Sequence, residues 1–276
     1  MKRGLRGVCL GFVLLYVVFS FGCAKEVSNP VSFDILDIGK ADCIVINTGN
    51  HIVMIDTGES QDVTSICAYM REKQYEKIDV LILTHPDKDH IGAADTIVKL
   101  YPVTELIETP NVIDNEDYQA YHESMDMIGL TATAPRQAYT FVLDDCVFTV
   151  NPPQAQEYQS KNENNSSLIV SMEVGKKRFL FCADAMEQRM SEWLGENHGQ
   201  YDFVKLPYHG NYLACYRTFL QKTNPKYAAI TCSKKNPAAT SALSMLGEMG
   251  VQVYQTTNGR IHVFCDGKTL TVENEA

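Results

Sequence analysis

The stretch Thr84-His85-Pro86-Asp87-Lys88-Asp89-His90 follows the apolar run Val80-Leu81-Ile82-Leu83 and leads into Ile91-Gly92-Ala93-Ala94. An apolar β-type run that stops abruptly, then His85, Asp87, Asp89 and His90 within six residues, then small residues, predicts a strand, a tight loop and a helix start. Imidazole nitrogen and carboxylate oxygen both suit Zn²⁺ and its neighbours, and a tight turn brings together side chains that an extended strand would hold apart. Asp89 and His90 fall at the helix entrance, where unpaired backbone N–H groups favour a carboxylate. A solvated polar loop with an Asp cap is the plain alternative, and the density of ligand types argues against it.

The remaining chain supplies partners in order. Strands are expected near Val31 to Leu36, Cys43 to Ile46 and Ile52 to Ile55, the third ending in Asp56-Thr57-Gly58. A helix is expected from Ser60 to Lys73, a second from the metal-type loop through Leu100, and a third from Asp114 to Ile128. In the second half, Asn164-Asn165-Ser166-Ser167-Leu168 opens a strand. The apolar run Phe179-Leu180-Phe181-Cys182-Ala183 ends in Asp184, and Pro207-Tyr208-His209-Gly210-Asn211 follows another strand. Asp266-Gly267 reads as the turn of a final hairpin. Among the other histidines, His122 is expected to be solvated on an acidic helix, His198 to sit at a helix end, and His262 to face outward. The lone Trp193 belongs in a core.

These segments resemble the motifs of the metallo-β-lactamase fold superfamily, whose usual His-x-His-x-Asp-His appears here with Asp87 in place of the second His. That substitution, together with Asp37-Ile38-Gly39-Lys40-Ala41-Asp42 and the Asn-Asn-x-Ser-Leu run, resembles the soluble domain of the ComEC family of DNA-uptake competence proteins. The resemblance covers about Val31 to Val272. It implies an α/β fold, a four-layer αββα sandwich of the metallo-β-lactamase type. It also implies one or two divalent ions, Zn or Mn: His85 and Asp87 on one, Asp89, His90 and His209 on the other, with Asp184 bridging. Asp56 would orient the metal-binding loop. Asp89, Asp87 and Tyr208 are the catalytic candidates, and Asn164 and Asn165 the substrate candidates on their strand-entry turn.

This sequence departs from the family at Lys40, Ala41, Cys182, Ala183 and Tyr208. No His stands in the Asn164 run, and Asn236-Pro237-Ala238 lacks the family's His-Pro. The implied activity is hydrolysis of a phosphodiester, DNA included, by metal-activated hydroxide. Another ester, such as a cell-wall phosphodiester or a lactone, and a catalytically weak binding lipoprotein are the alternatives.

Charge narrows the substrate question. A formal net charge of -10 disfavours tight nonspecific nucleic-acid binding, which phosphate neutralisation drives. From Phe203 to Gly247, however, there are six Lys or Arg, including Lys205, Lys234 and Lys235, and no Asp or Glu. That segment is expected to offer a basic surface, with Lys234 and Lys235 as substrate contacts.

At the amino end, Lys2, Arg3 and Arg6 precede an uncharged apolar stretch that closes in Ser20-Phe21-Gly22-Cys23. This is the pattern of a secretory signal and resembles a bacterial lipoprotein processing site. The expected organisation is a signal peptide over 1–22, a linker over 23–30 and the hydrolase domain over 31–276, exported and held to a membrane by lipid on Cys23. The seven cysteines after Cys23 are odd in number and contain no Cys-x-x-Cys pair, so they read as small buried hydrophobes.

Overall fold

The computed structural model describes residues 27–111, 113, 115–158, 163–196 and 199–275. The signal-like segment, Cys23 and His198 lie outside them.

The two halves of the chain build similar sheets. β1 (Val31–Ile35), β2 (Ile44–Asn47) and β3 (Ile52–Ile55) form an antiparallel meander. β4 (Ile78–Leu83), β5 (Val103–Glu108) and β6 (Ala132–Thr133) extend it in parallel. The connections are α1 (Val63–Glu72), the pair α2 (Lys88–Ile91) and α3 (Ala94–Leu100), and α4 (Glu116–Ile128).

In the second sheet β7 (Tyr139–Leu143), β8 (Cys146–Asn151), β9 (Ile169–Val174) and β10 (Lys177–Phe181) run antiparallel. β11 (Phe203–Lys205), β12 (Tyr227–Ile230) and β13 (Gln252–Gln255) continue it in parallel. Between them lie α5 (Glu187–Gly195), α6 (Tyr216–Thr223) and α7 (Thr240–Glu248). The hairpin of β14 (Arg260–Cys265) and β15 (Leu270–Glu275) returns to the first sheet beside β1.

Alternation along the strands produces the four layers. Val80 and Ile82 of β4 face a core between the sheets, while Leu81 and Leu83 face the helices outside. Likewise Phe179 and Phe181 of β10 point inward, and Leu180 and Cys182 pack under the second helical layer. Strands covered on both faces read as continuous apolar runs, which is why their sequence shows no polar alternation. Phe33 centres the inner core, meeting Phe179, Phe181 and Phe203 edge-on at centroid distances of 5.6, 5.4 and 5.2 Å. Trp193 is buried as expected.

Several local expectations change. The helix expected through Leu100 is broken at Gly92-Ala93 into α2 and α3. The His90 carbonyl accepts the Thr57 N–H at 2.7 Å, and the Ala93 N–H donates to Gly58 at 3.3 Å, so the Asp56–Gly58 turn intercepts the helix backbone. Gly92 admits that approach: a Cβ there would stand 2.4 Å from Lys88 O and 2.9 Å from Ser60 N. The Asp266-Gly267 turn is a longer loop, since Cys265 pairs with Leu270. Asp266 Oδ1 accepts the N–H groups of Lys268 and Thr269 there.

The end of the expected linker is docked, with Val27 against the inner core and Gly267. His122 is bound rather than solvated: its Nε2 lies 3.0 Å from Glu108 Oε2, and its ring lies tilted against that of Tyr118 at a centroid distance of 4.2 Å. His262 also has a partner, Asp34 Oδ1 at 3.0 Å. Lys205 is not part of a basic surface but wholly buried. Among the described residues the cysteines are free, five of them buried. No helix among these residues is long and apolar enough to cross a membrane.

Candidate metal centre

Strand ends on the two facing sheets deliver the site. The loop after β4 brings His85, Asp87, Asp89 and His90; the turn after β10 brings Asp184; the turn after β11 brings His209. The edges are stitched where Leu168 N–H donates to Thr84 O at 2.9 Å. His90 Nε2 lies 3.4 Å from Asp184 Oδ1, and His209 Nε2 lies 2.9 Å from Asp184 Oδ2 and 3.5 Å from Asp89 Oδ2. Ligand atoms of Asp89, His90, Asp184 and His209 all fall within 4.8 Å of one another, on four buried residues.

Holding these groups so close requires unusual backbone. Of the seven non-glycine residues with positive φ among the described residues, Asp56, Ala183, Tyr208 and His209 belong to this site. Ala183 has φ 46°, and the left-handed conformation costs a non-glycine residue about 1–2 kcal/mol. Surrounding bonds hold the turn: Tyr208 N–H donates to Ala183 O at 3.1 Å, and Lys205 Nζ to the same carbonyl at 3.2 Å.

The supporting hydrogen bonds settle which nitrogen each imidazole presents. Asp56 accepts from Thr84 N–H and Thr84 Oγ1, each at 2.8 Å, and from His90 Nδ1 at 2.7 Å. With its hydroxyl proton committed to Asp56, Thr84 Oγ1 accepts from His85 Nδ1 at 3.1 Å. On the other side, Thr231 Oγ1 donates to Asp42 Oδ1 at 2.6 Å and accepts from His209 Nδ1 at 2.9 Å. All three rings therefore carry the proton on Nδ1, tied directly or through one hydroxyl to a buried carboxylate, and turn Nε2 toward the cluster.

The charges are strongly coupled. Burial by itself would raise the Asp89 and Asp184 carboxyls, but the neighbouring His209 and His90 hold both below the usual carboxylate range. Burial would lower His90 and His209, and the facing Asp184 raises both above the ordinary imidazole value, with Asp56 adding to His90. Asp42 and Lys205 form an ion pair behind the cluster: burial raises the Asp42 carboxyl, and the Lys205 ammonium together with His90 and His209 brings it below the usual range. At the rim, Asp87 is raised by burial but brought down to about 2, first by its contact with His85. The Asp87 contact pushes Glu163 up to about 7.

A divalent ion fits these residues. His85 Nε2, His90 Nε2, His209 Nε2 and Asp184 Oδ1 are buried with no aligned hydrogen-bond partner, an arrangement that is costly unless another ligand satisfies them. A tetrahedral ion with bonds of ~2.0–2.1 Å sets its ligand atoms ~3.4 Å apart, and the three imidazole–carboxylate separations above are 2.9, 3.4 and 3.5 Å.

Residues 36–233 match the family model described as the metallo-beta-lactamase superfamily. The chain belongs to that superfamily.

Among its curated relatives, ComE operon protein 3 of Bacillus subtilis (strain 168) is 25% identical over 278 residues, covering 92% of this chain and 35% of that protein. Recombination protein 2 of Haemophilus influenzae is 26% identical over 232 residues, covering 82% of this chain and 27% of that one. The chain thus spans about a third or less of the length of these relatives. In the superfamily's solved structures, the metallo-beta-lactamase fold protein YhfI from Bacillus subtilis superposes with a TM-score of 0.55 at 9% identity. It covers 89% of this chain and 100% of that one, a likeness of fold.

The superfamily's donor set is thus divided. Asp89, His90, Asp184 and His209 form one cluster, while His85 and Asp87 stand beside it, His85 Nε2 3.6 Å from Asp87 Oδ2 and its ring 4.1 Å from that of His90. Asp56 stands behind the cluster with its carboxylate on His90 Nδ1. Asn164 Nδ2 reaches Asp184 Oδ2 at 3.5 Å, whereas Asn165 turns away and accepts the Arg189 N–H at 3.1 Å. Tyr208 is half-buried beside Lys40. Lys234 and Lys235 are exposed, three and four residues beyond Thr231.

Sequence reasoning missed Thr84 and Thr231, which relay the imidazole protons, and Lys205. It also missed Arg189, whose buried guanidinium binds the carbonyls of Ser167 and Asn151 and fixes the Asn164 turn. The basic residue inside the helix from Met186 was a usable signal for Arg189.

Proposed function

We propose that this chain is a metal-dependent phosphodiesterase or nuclease. The observation that carries the reading is the convergence of three orphaned imidazole nitrogens and an orphaned Asp184 oxygen at the open ends of two sheets. Bound there, a divalent ion lowers the pKa of water toward neutrality and stabilises charge building on phosphorus oxygens. Asp89, His90, His209 and Asp184 would hold it, with His85 and Asp87 available to a second ion. The mixed carboxylate and imidazole set suits Zn and Mn alike. Asp87, with a quarter of its side chain exposed, accepts a proton from the attacking water. The Tyr208 phenol, on the solvent side, donates one to the leaving oxygen.

The phosphodiester preference draws on the competence-family resemblance and on a relative named Recombination protein 2. The exposed pair Lys234 and Lys235 gives DNA an electrostatic landing near the cluster. Metal-loaded protein is expected to hydrolyse a model phosphodiester and single-stranded DNA, to lose both activities with chelator, and to regain them with Zn or Mn. Charge reversal of Lys234 and Lys235 should weaken DNA hydrolysis and spare the model diester. Turnover of a lactone alone would move the assignment to another ester, and retained metal without turnover of any substrate would leave a binding protein.

The reading includes export, with a lipid anchor on Cys23. Cys23→Ser is expected to move the protein from the membrane fraction to the soluble one. An unchanged distribution rejects the anchor.

A further inference from the structure

The loop between β1 and β2 carries Lys40 into the metal centre, where the mechanism above gives it no task. Its Nζ donates to Asp89 Oδ2 at 2.9 Å, the same oxygen that faces His209 Nε2 at 3.5 Å. The loop is pinned on both sides: Leu36 N–H to Cys43 O at 3.0 Å, Asp42 N–H to Asp89 O at 2.9 Å, and Gly58 N–H to Asp42 O at 2.8 Å. Lys40 is thus delivered by backbone bonded to the metal loop itself.

Among the described residues Lys40 pairs with a cluster carboxylate and Lys205 with Asp42 behind the cluster, and the two differ in access. Lys205 is fully buried against Asp42, whereas 32% of the Lys40 side chain remains exposed beside Tyr208. Asp89 and Asp184 supply two negative charges to the four-residue cluster, and one divalent ion with neutral His90 and His209 balances them. Lys40 gives one of its three ammonium N–H donors to Asp89, and with that carboxylate shared by the ion it has donors to offer a ligand on the solvent side. An ammonium is a compact point charge that suits a phosphate oxygen.

We propose that Lys40 is the anion anchor of this site, binding a non-bridging oxygen of a phosphodiester beside the metal ion. The inference deepens the phosphodiesterase reading and rests on it for the identity of the substrate. It also accounts for the preference over neutral esters, which offer Lys40 no charge.

The test uses the metal-loaded full chain as wild type, Lys40→Gln and Lys40→Arg, with metal content measured on each. Isothermal titration with inorganic phosphate is expected to show Lys40→Gln binding roughly 10- to 100-fold more weakly, the worth of one charge-assisted hydrogen bond, and Lys40→Arg recovering most of it. With a model phosphodiester, KM should rise by a similar factor in Lys40→Gln while kcat stays within about twofold. Equal phosphate affinity in Lys40→Gln and wild type would overturn the anchor. So would a loss of phosphate binding matched by loss of metal, because Lys40 would then only be supporting Asp89. If no diester is turned over by any form while the phosphate affinity still falls in Lys40→Gln, the hydrolase reading fails and the anchor stands.

Discussion

Asp184→Asn is expected to leave a folded protein that no longer retains its metal and hydrolyses phosphodiesters at least ~100-fold more slowly, beyond the 10–100-fold typical of groups that only orient a ligand. Asp184 faces the Nε2 atoms of both cluster imidazoles, His90 at 3.4 Å and His209 at 2.9 Å, and so joins the two sides of the cluster. Asparagine keeps the size and can still meet Asn164, but removes the charge that balances a divalent ion. Asp56→Asn sits lower on the same scale: it weakens the hold on His90 Nδ1 without touching the cluster, and should cost 10–100-fold in metal affinity. Elemental analysis after dialysis, alongside thermal unfolding, separates loss of metal from loss of fold. Full metal content in Asp184→Asn would remove that residue from the ligand set.

The second large effect concerns stability. Lys205→Met is expected to destabilise the protein by about 3–5 kcal/mol, because it strands the Asp42 carboxylate in the interior. Both partners are almost fully buried, and Lys205 additionally caps the strained Ala183 carbonyl. The double variant Asp42→Asn, Lys205→Met should recover much of the loss, since replacing both members of a buried pair is often close to neutral. Denaturant unfolding of the wild type, Asp42→Asn, Lys205→Met and the double variant measures the coupling. A single-variant loss below ~1 kcal/mol, as for an exposed pair, would show that the pair is hydrated.

The candidate ligands were legible because each lies at a strand exit, and strand exits are visible as the ends of apolar runs. Val80 to Leu83 stops at Thr84, Phe179 to Phe181 stops before Asp184, and Phe203 to Lys205 stops before His209. The same runs identified the layers, since strands buried on both faces need no polar alternation. Composition misplaced Lys205. A lysine in a segment without acids suggests a basic surface, yet its partner Asp42 comes from the β1–β2 loop on the opposite sheet. The expected helix through Leu100 failed for a related reason, because a loop remote in sequence takes the His90 carbonyl.

The sequence alone determined the candidate side chains, the apolar runs that mark strands buried on both faces, and the departures from the family pattern at Lys40, Ala183 and Tyr208. Only the tertiary structure decided which nitrogen each imidazole offers, which lysine is buried and which meets solvent, and that Asp89, His90, Asp184 and His209 form one cluster with His85 and Asp87 beside it. Local periodicity follows from backbone geometry and can be read along the chain. Proton direction and charge pairing depend on atoms within about 3 Å of one another, and here those atoms come from segments far apart in sequence, with Asp42 meeting Lys205 and Thr231 from the opposite sheet.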